Sequence, residues 1–355
     1  MRFSLLIEAQ LPRPTPEREQ QLFAEIVEQA ILADELGYHC LWAVEHHGLA
    51  EYSHCSAPET LLAYLAGRTS RIRLGHSVML SPGAYNHPIR VAERVATLDV
   101  LSGGRVSWGS GKSATKTEQG AFQLDPATLH EQWLEALEMV PRMWRSDVFE
   151  HDGKHWTIPP TPIIPKPVQQ PTPPLYMACS RPESIVLAGE LGVGSLNFAA
   201  GPQEQLQEAV ARYRHAIAGS AVPPRRITEE FCVTPAALVL PDDREACELG
   251  FRGARYHAEG LASYFFSPVR QVGAPELSTA PLTPEELERA MASRRAPGSA
   301  LNTVIGDPAA ALEAVRRFAD CGVDELILVM QMGGVPHEAV MRSLRTFAEE
   351  VMPSA

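Results

Sequence analysis

The stretch IRLGHSVMLSPGAYNHPIRVAERVATLDVLSGGRVSWGSGKS, residues 72–113, contains one complete strand–helix–strand unit. IRLGHSVML at 72–80 is an apolar run too short for a helix, and it reads as a strand. A helix then starts at Pro88, whose fixed φ suits a first helical turn. Gly103 and Gly104 close it. RVSWGSG at 105–111 is the next strand.

The same alternation continues in both directions. Upstream, FSLLIE at 3–8 and CLWAVEH at 40–46 read as strands. A helix over 17–36 stopped by Gly37 and a proline-started helix over 58–70 follow them. Downstream, Trp133, Leu137, Val140 and Trp144 form one buried stripe of a helix over 126–145. Further strands are LYMACS at 175–180, GSLNFA at 194–199, EEFCVTPAALVL at 229–240 and DELILVMQ at 324–331. Each is followed by a helical pattern, the last carrying Val340, Leu344, Phe347 and Val351. About eight such units in a chain of 355 residues favour a closed α/β (β/α)8 TIM barrel over an open doubly wound sheet. The open sheet would be supported by a GxGxxG turn after its first strand, and IEAQLPRPTP contains no glycine.

Two segments break the rhythm. Residues 146–174 are proline-rich and read as an external excursion after the fourth helix, with a hairpin as its simplest form. Residues 267–300, after the seventh strand and its helix, are mostly polar with one short helical patch, and read as a mobile lid. Residues 1–355 are expected to form one barrel domain with these two insertions.

Composition narrows the function. The formal net charge of −12 argues against nucleic acid or an anionic membrane as partner. The start, MRFSLLIEAQLPRP, lacks a signal-peptide core, and no apolar run reaches the ~20 residues that span a bilayer. A cytoplasmic protein is expected. The six cysteines are scattered with no CxxC pair, so no metal site is expected.

SWGSGKSA at 107–114 looks like the end of a nucleotide-binding loop. That loop needs glycine five places before Gly111, where Val106 stands, and a β-branched residue disfavours the turn. Lys112 must serve another purpose. In a barrel, active sites lie at the carboxyl ends of the strands. VEHHG after the second strand offers Glu45, His46 and His47, and a histidine there suits a base near neutral pH. HEXXH spacing is absent. Ser77, Val78 and Met79 would line the inner wall. Gly109, Ser110 and Gly111 would let a flat ligand or a phosphate approach the backbone. ACSRPES after the fifth strand opens a helix, with Ser180 and Ser184 bracketing a site for an anion. Capping by Ser180 is the plainer alternative. A lysine and a helix amino end on neighbouring strands suggest one phosphate, on a ligand whose other end reaches an apolar wall. A flavin mononucleotide has that shape.

These motifs, LWAVEHHG, then residues 72–113, MACSRPESIVLAGELG and GVDELILVMQMGGVPHEAVMRSLRTFAEEVMP, resemble the bacterial luciferase-like flavin-dependent monooxygenases. The resemblance spans nearly the whole chain. It implies a barrel that binds reduced FMN from a separate flavin reductase, forms a peroxide at carbon 4a with O2, and oxygenates a small organic substrate. It implies His46 as the catalytic histidine with Glu45 orienting it. It implies Ser77 and Val78 as the flavin-ring support, often through a non-prolyl cis peptide, with Met79 beside them. Gly111 stands where luciferase has a reactive cysteine, which puts light emission in doubt. Lys112 matches a phosphate-binding arginine. Gly109, Ser110, Met177, Ala178, Cys179, Ser180, Arg181 and Ser184 complete the expected cofactor contacts. A second phosphate-binding arginine has no clear match, and His130 or Arg181 could replace it. A homodimer through the helix at 61–68 is also implied. Two other functions remain open at this point: deazaflavin-dependent hydride transfer on the same barrel, and a flavin-binding subunit that does not catalyse.

Overall fold

The computed structural model describes residues 1–265, 276–294, 300 and 302–355. The strands are β1 (Arg2–Ile7), β2 (Cys40–Ala43), β3 (Arg73–Leu80), β4 (Val106–Gly111), β5 (Phe149–Asp152), β6 (Thr157–Thr161), β7 (Leu175–Cys179), β8 (Gly194–Phe198), β9 (Phe231–Thr234), β10 (Ala236–Val239), β11 (Thr303–Gly306) and β12 (Glu325–Leu328). The helices are α1 (Pro16–Leu36), α2 (Pro58–Ala66), α3 (Pro88–Ser102), α4 (Lys116–Ala121), α5 (Leu129–Arg145), α6 (Pro182–Leu191), α7 (Gln203–Ala218), α8 (Asp243–Phe265), α9 (Pro284–Ser293), α10 (Pro308–Asp320) and α11 (His337–Thr346).

β1, β2, β3, β4, β7, β8, β9 and β12 close into a parallel barrel in the order β1-β12-β9-β8-β7-β4-β3-β2. The expected (β/α)8 architecture is therefore what the chain adopts. Its helices begin and end where local chemistry dictates. Proline opens α1, α2, α3, α6, α9 and α10, and Gly37, Gly103 and Gly192 end α1, α3 and α6 in the left-handed conformation.

The lower half of the barrel is filled by side chains. The Trp42 and Tyr176 rings meet edge to face at 4.9 Å. They fit because Gly75 and Gly194 have no Cβ; an added methyl would run into the Trp42 and Tyr176 rings respectively. Glu325, fully buried, accepts hydrogen bonds from the Ser4 hydroxyl at 2.6 Å and the Trp42 indole at 2.8 Å. This plug closes the amino end and leaves the carboxyl end of the strands as the open mouth.

The excursion at 146–174 carries the antiparallel hairpin β5–β6. The strand expected over 229–240 is two strands. Pro235 has no N–H to give the ladder and interrupts it, although its carbonyl still accepts from Val329 and Ala236 bridges Val329 beyond β12. β10 pairs instead with β11 outside the barrel, a strand that the polar pattern around it had hidden. The helix expected over 126–145 begins at Leu129, and the short helix α4 precedes it. Of the segment expected as a lid, residues 267–275 and 295–299 lie outside the described residues. The rest includes α9, whose Thr283–Glu286 capping box fixes its start.

Candidate active site

Strand alternation decides which residues face the mouth. Trp42 on β2 points into the barrel, so His46, four residues on, points the same way above it. Two carboxylates flank its ring. Nδ1 lies 2.9 Å from Glu118 Oε1, and Nε2 lies 3.7 Å from Glu8 Oε1. Phe265, at the end of α8, meets the His46 ring edge-on at 5.5 Å, and Tyr52 meets it at 5.9 Å.

Glu118 is held by its own helix end. It sits on α4, is fully buried, and its Oε2 accepts the Thr115 hydroxyl at 2.6 Å. Its Oε1 also accepts the His47 backbone N–H at 3.0 Å. Burial works against the Glu118 charge, but the His46 hydrogen bond and charge, Thr115 and His47 outweigh it and hold the carboxyl below its ordinary range. Burial likewise works against an imidazolium at His46. The bond and charge of Glu118, with Glu8 and Glu45 behind it, lift His46 above the usual histidine value.

Glu45 is not the residue that orients His46. Its carboxylate accepts the Leu80 N–H at 2.7 Å and the Asn86 amide at 3.1 Å, and lies 3.2 Å from His47 Nε2. Adjacent residues on a strand point to opposite sides, so Glu45 ties the end of β2 to the end of β3.

The floor of the mouth is apolar. The Ser77–Val78 peptide is cis, as the resemblance implied. The Val78 side chain packs over Gly109 and Gly111, where an added Cβ would strike Val78 and the His76 carbonyl. The space at those glycines is therefore taken by β3 and is not open to a ligand's phosphate. Ala178 and Ser180 are exposed at the end of β7. Phe198, at the end of β8 and on the same side as Leu196, is 48% exposed.

Four expected contacts face the other way. Met79, Ser110 and Met177 are buried and share one row by register. Ser110 accepts the Trp133 indole N–H of α5 at 3.2 Å, which places that row against the helix layer. The Cys179 thiol points at the Ser184 carbonyl of α6 at 3.3 Å.

Lys112, Arg181 and His130 gather on the β4–β7 side of the mouth. Lys112 is half-buried; burial and the Arg181 charge lower it from its ordinary value. Burial and the charges of Lys112 and Arg181 depress His130 as well, against the opposing pull of Glu131. Among the described residues no carboxylate pairs with Lys112 or Arg181, so this corner presents uncompensated positive charge. Arg181 is the N-cap of α6, and the Ser184 hydroxyl donates to the Arg181 carbonyl at 2.7 Å. Ser184 is thus engaged in the helix start, while Ser180 is exposed at the end of β7. The corner suits a phosphate: clustered cations, an exposed hydroxyl and a helix amino end.

Glu8 and Glu118 escaped sequence reasoning. Glu8 closes FSLLIE, a strand end from which no site residue is expected in the sequence. Glu118 was signalled by Thr115-x-x-Glu118, a capping-box spacing on a helix too short to show periodicity.

The luciferase-like monooxygenase family matches residues 1–325, and the chain belongs to it. The 4-hydroxyprotoasukamycin monooxygenase of Streptomyces nodosus subsp. asukaensis is 28% identical over 92% of this chain and 85% of its own. The oxygenase component of the flavin-dependent trigonelline monooxygenase of Acinetobacter baylyi is 32% identical over 54% of this chain. The match spans about half of that relative, 52% of its length. The F420-dependent glucose-6-phosphate dehydrogenase of Amycolatopsis mediterranei is 24% identical over 93% of each chain. Among solved structures, the monooxygenase RslO1 of Streptomyces bottropensis superposes with a TM-score of 0.83 at 27% identity, covering 99% of both chains. The oxygenating constituent of 3,6-diketocamphane monooxygenase of Pseudomonas putida, in complex with FMN, shares the fold at a TM-score of 0.76 and 20% identity, covering 100% of this chain and 98% of its own. Relatives of this chain thus include both flavin-dependent monooxygenases and F420-dependent dehydrogenases. Among the described residues no helix is long and apolar enough to cross a membrane.

Proposed function

We propose that this protein is the oxygenase of a two-component flavin system, taking reduced FMN from a separate reductase and inserting one atom of O2 into a small organic substrate. The unpaired cations Lys112 and Arg181, with the His130 imidazole beside them, at the same barrel mouth as His46, are the observation that carries this reading. A dianionic phosphate satisfies that corner through charge-assisted hydrogen bonds. Arg181 and His130 there supply what the missing second arginine would. Val78 and Ala178 leave a smooth bed for a flat ring, with Phe198 at its edge. Reduced FMN, when bound, supplies the electrons that activate dioxygen.

The chain's own groups do the rest. Lys112, Arg181 and Ser180 fix the phosphate and so the position of the ring. His46, held by Glu118 at Nδ1, presents Nε2 to the mouth and holds or moves the proton there. Tyr52 and Phe265 flank the imidazole and keep bulk water from it. The residues 1–355 work as one barrel domain in this reading. A second copy of the chain docks on α2 and α3, where Tyr64, Val100 and Leu101 are exposed apolar side chains. A cytoplasmic location fits a partner reductase and free FMN.

Oxygen uptake with reduced FMN and a panel of aldehydes, ketones and amines, with products read by mass spectrometry, tests the proposal. A product heavier by one oxygen, labelled from ¹⁸O2, supports it. Hydride transfer with reduced F420 under anaerobic conditions, and no uptake with FMN, overturns it.

A further inference from the structure

We propose that Glu8 is the proton store of this site, exchanging a proton through Nε2 of His46 with the group that reacts there. Glu8 directly follows β1 and lies on the inward face, four residues after Ser4 and level with the base of the mouth. It is 2% exposed. Its Oε1 has no hydrogen-bond partner and lies 3.7 Å from His46 Nε2. A buried carboxylate oxygen left unpaired is costly, and the cost falls when the group is protonated. The separation exceeds a hydrogen bond by several tenths of an ångström, so a small approach, or one bridging group, completes the contact.

The groups around the pair come from four elements. His46 and Glu118 face Glu8 by charge, and Tyr52 shares its carboxyl. The Cys55 thiol lies within its field. His46 feels Glu118, Glu8 and Glu45. Phe265 contributes only its ring. Burial pushes the Glu8 carboxyl up to about 7, opposed by His46, aided by Glu118 and opposed again by Tyr52. Burial works against the His46 imidazolium, and the hydrogen bond and charge of Glu118 outweigh it and raise His46 above its ordinary value.

The proton balance follows. The transfer starts from a neutral Glu8, a His46 imidazolium and a Glu118 carboxylate. His46 gives its Nε2 proton to the reacting group, and the Glu8 hydroxyl returns one to Nε2. Glu8 becomes a carboxylate, His46 is again an imidazolium, and one proton has moved from Glu8 to the reacting group. The reverse path removes a proton. Glu8 acts through His46 and is a positioning and proton-holding residue. The identity of the reacting group rests on the oxygenase reading; the proton store does not.

The test is an NMR pH titration of the cofactor-free protein with ¹³C-labelled histidine rings, with His46→Gln assigning the His46 signal. The wild type is expected to show an inflection in the His46 shift near the Glu8 value of about 7, besides its own titration. Glu8→Gln should abolish that inflection. An unchanged His46 curve in Glu8→Gln overturns the proposal. Should that variant fail to fold, difference infrared spectra of the wild type on either side of that pH decide. Loss of a protonated-acid carbonyl band supports the proposal, and no change in that band overturns it. No cofactor is present in either measurement, so failure to bind FMN would sink the oxygenase reading alone.

Discussion

The carboxylate of Glu118, 2.9 Å from His46 Nδ1, fixes the ring so that Nε2 lies 3.7 Å from Glu8. Thr115 and the His47 backbone hold that carboxylate in turn, so the ring is oriented by a chain of short-range bonds that starts at a helix cap. Glu118→Gln keeps the shape and removes the charge. We expect turnover to fall by about 10²-fold with FMN affinity unchanged, and the His46 titration to move down. Steady-state kinetics beside a binding titration checks this. A variant with wild-type turnover would remove Glu118 from the catalytic arrangement.

Glu8 also makes stability depend on pH. Its folded value lies above its unfolded one, so its contribution is fully present below the unfolded value of about 4.5 and is lost as pH rises through about 7. Glu8→Gln should therefore raise the melting temperature at pH 8.5 and leave it nearly unchanged at pH 5. The gain at high pH is up to about 3 kcal/mol. Thermal unfolding at the two pH values measures it, and an equal effect at both would contradict the assignment.

Gly75 faces the Trp42 ring inside the barrel with no room for a methyl. Gly75→Ala should cost about 1–3 kcal/mol by forcing Trp42 off its Glu325 bond. Denaturant unfolding and the Trp42 near-UV signal report both effects. The same substitution at Gly37, where nothing crowds a Cβ, strains only the left-handed turn and should leave that signal intact.

Leu101 on α3 is 65% exposed, and Tyr64 on the neighbouring helix α2 is exposed as well. Leu101→Glu should convert a dimer to a monomer, read by sedimentation, without changing FMN affinity. A wild type that sediments as a monomer would contradict the docking surface.

The barrel was readable because its signals are local and repeated: apolar runs of strand length, proline at helix starts, glycine at helix ends. The partition of 229–240 was not, because the consequence of Pro235 depends on a partner strand, Thr303–Gly306, far along the chain. At the site, His46 and Lys112 could be found from their position at strand ends. Facing could not be assigned from the stretches alone. Ser110, Met79, Met177 and Cys179 lie in the right segments but on the helix side, which only register reveals. Glu45 neighbours His46 in sequence, whereas the carboxylate that bonds its ring, Glu118, lies on a helix that follows a different strand.

The account stands most directly on the phosphate corner. Equilibrium binding of reduced FMN and reduced riboflavin, under anaerobic conditions, to the wild type and to Lys112→Ala measures it. We expect FMN to bind at least about tenfold more tightly than riboflavin in the wild type, and most of that advantage to vanish in Lys112→Ala, a loss of roughly 1.5–3 kcal/mol. Equal affinity for the two flavins in the wild type would contradict it.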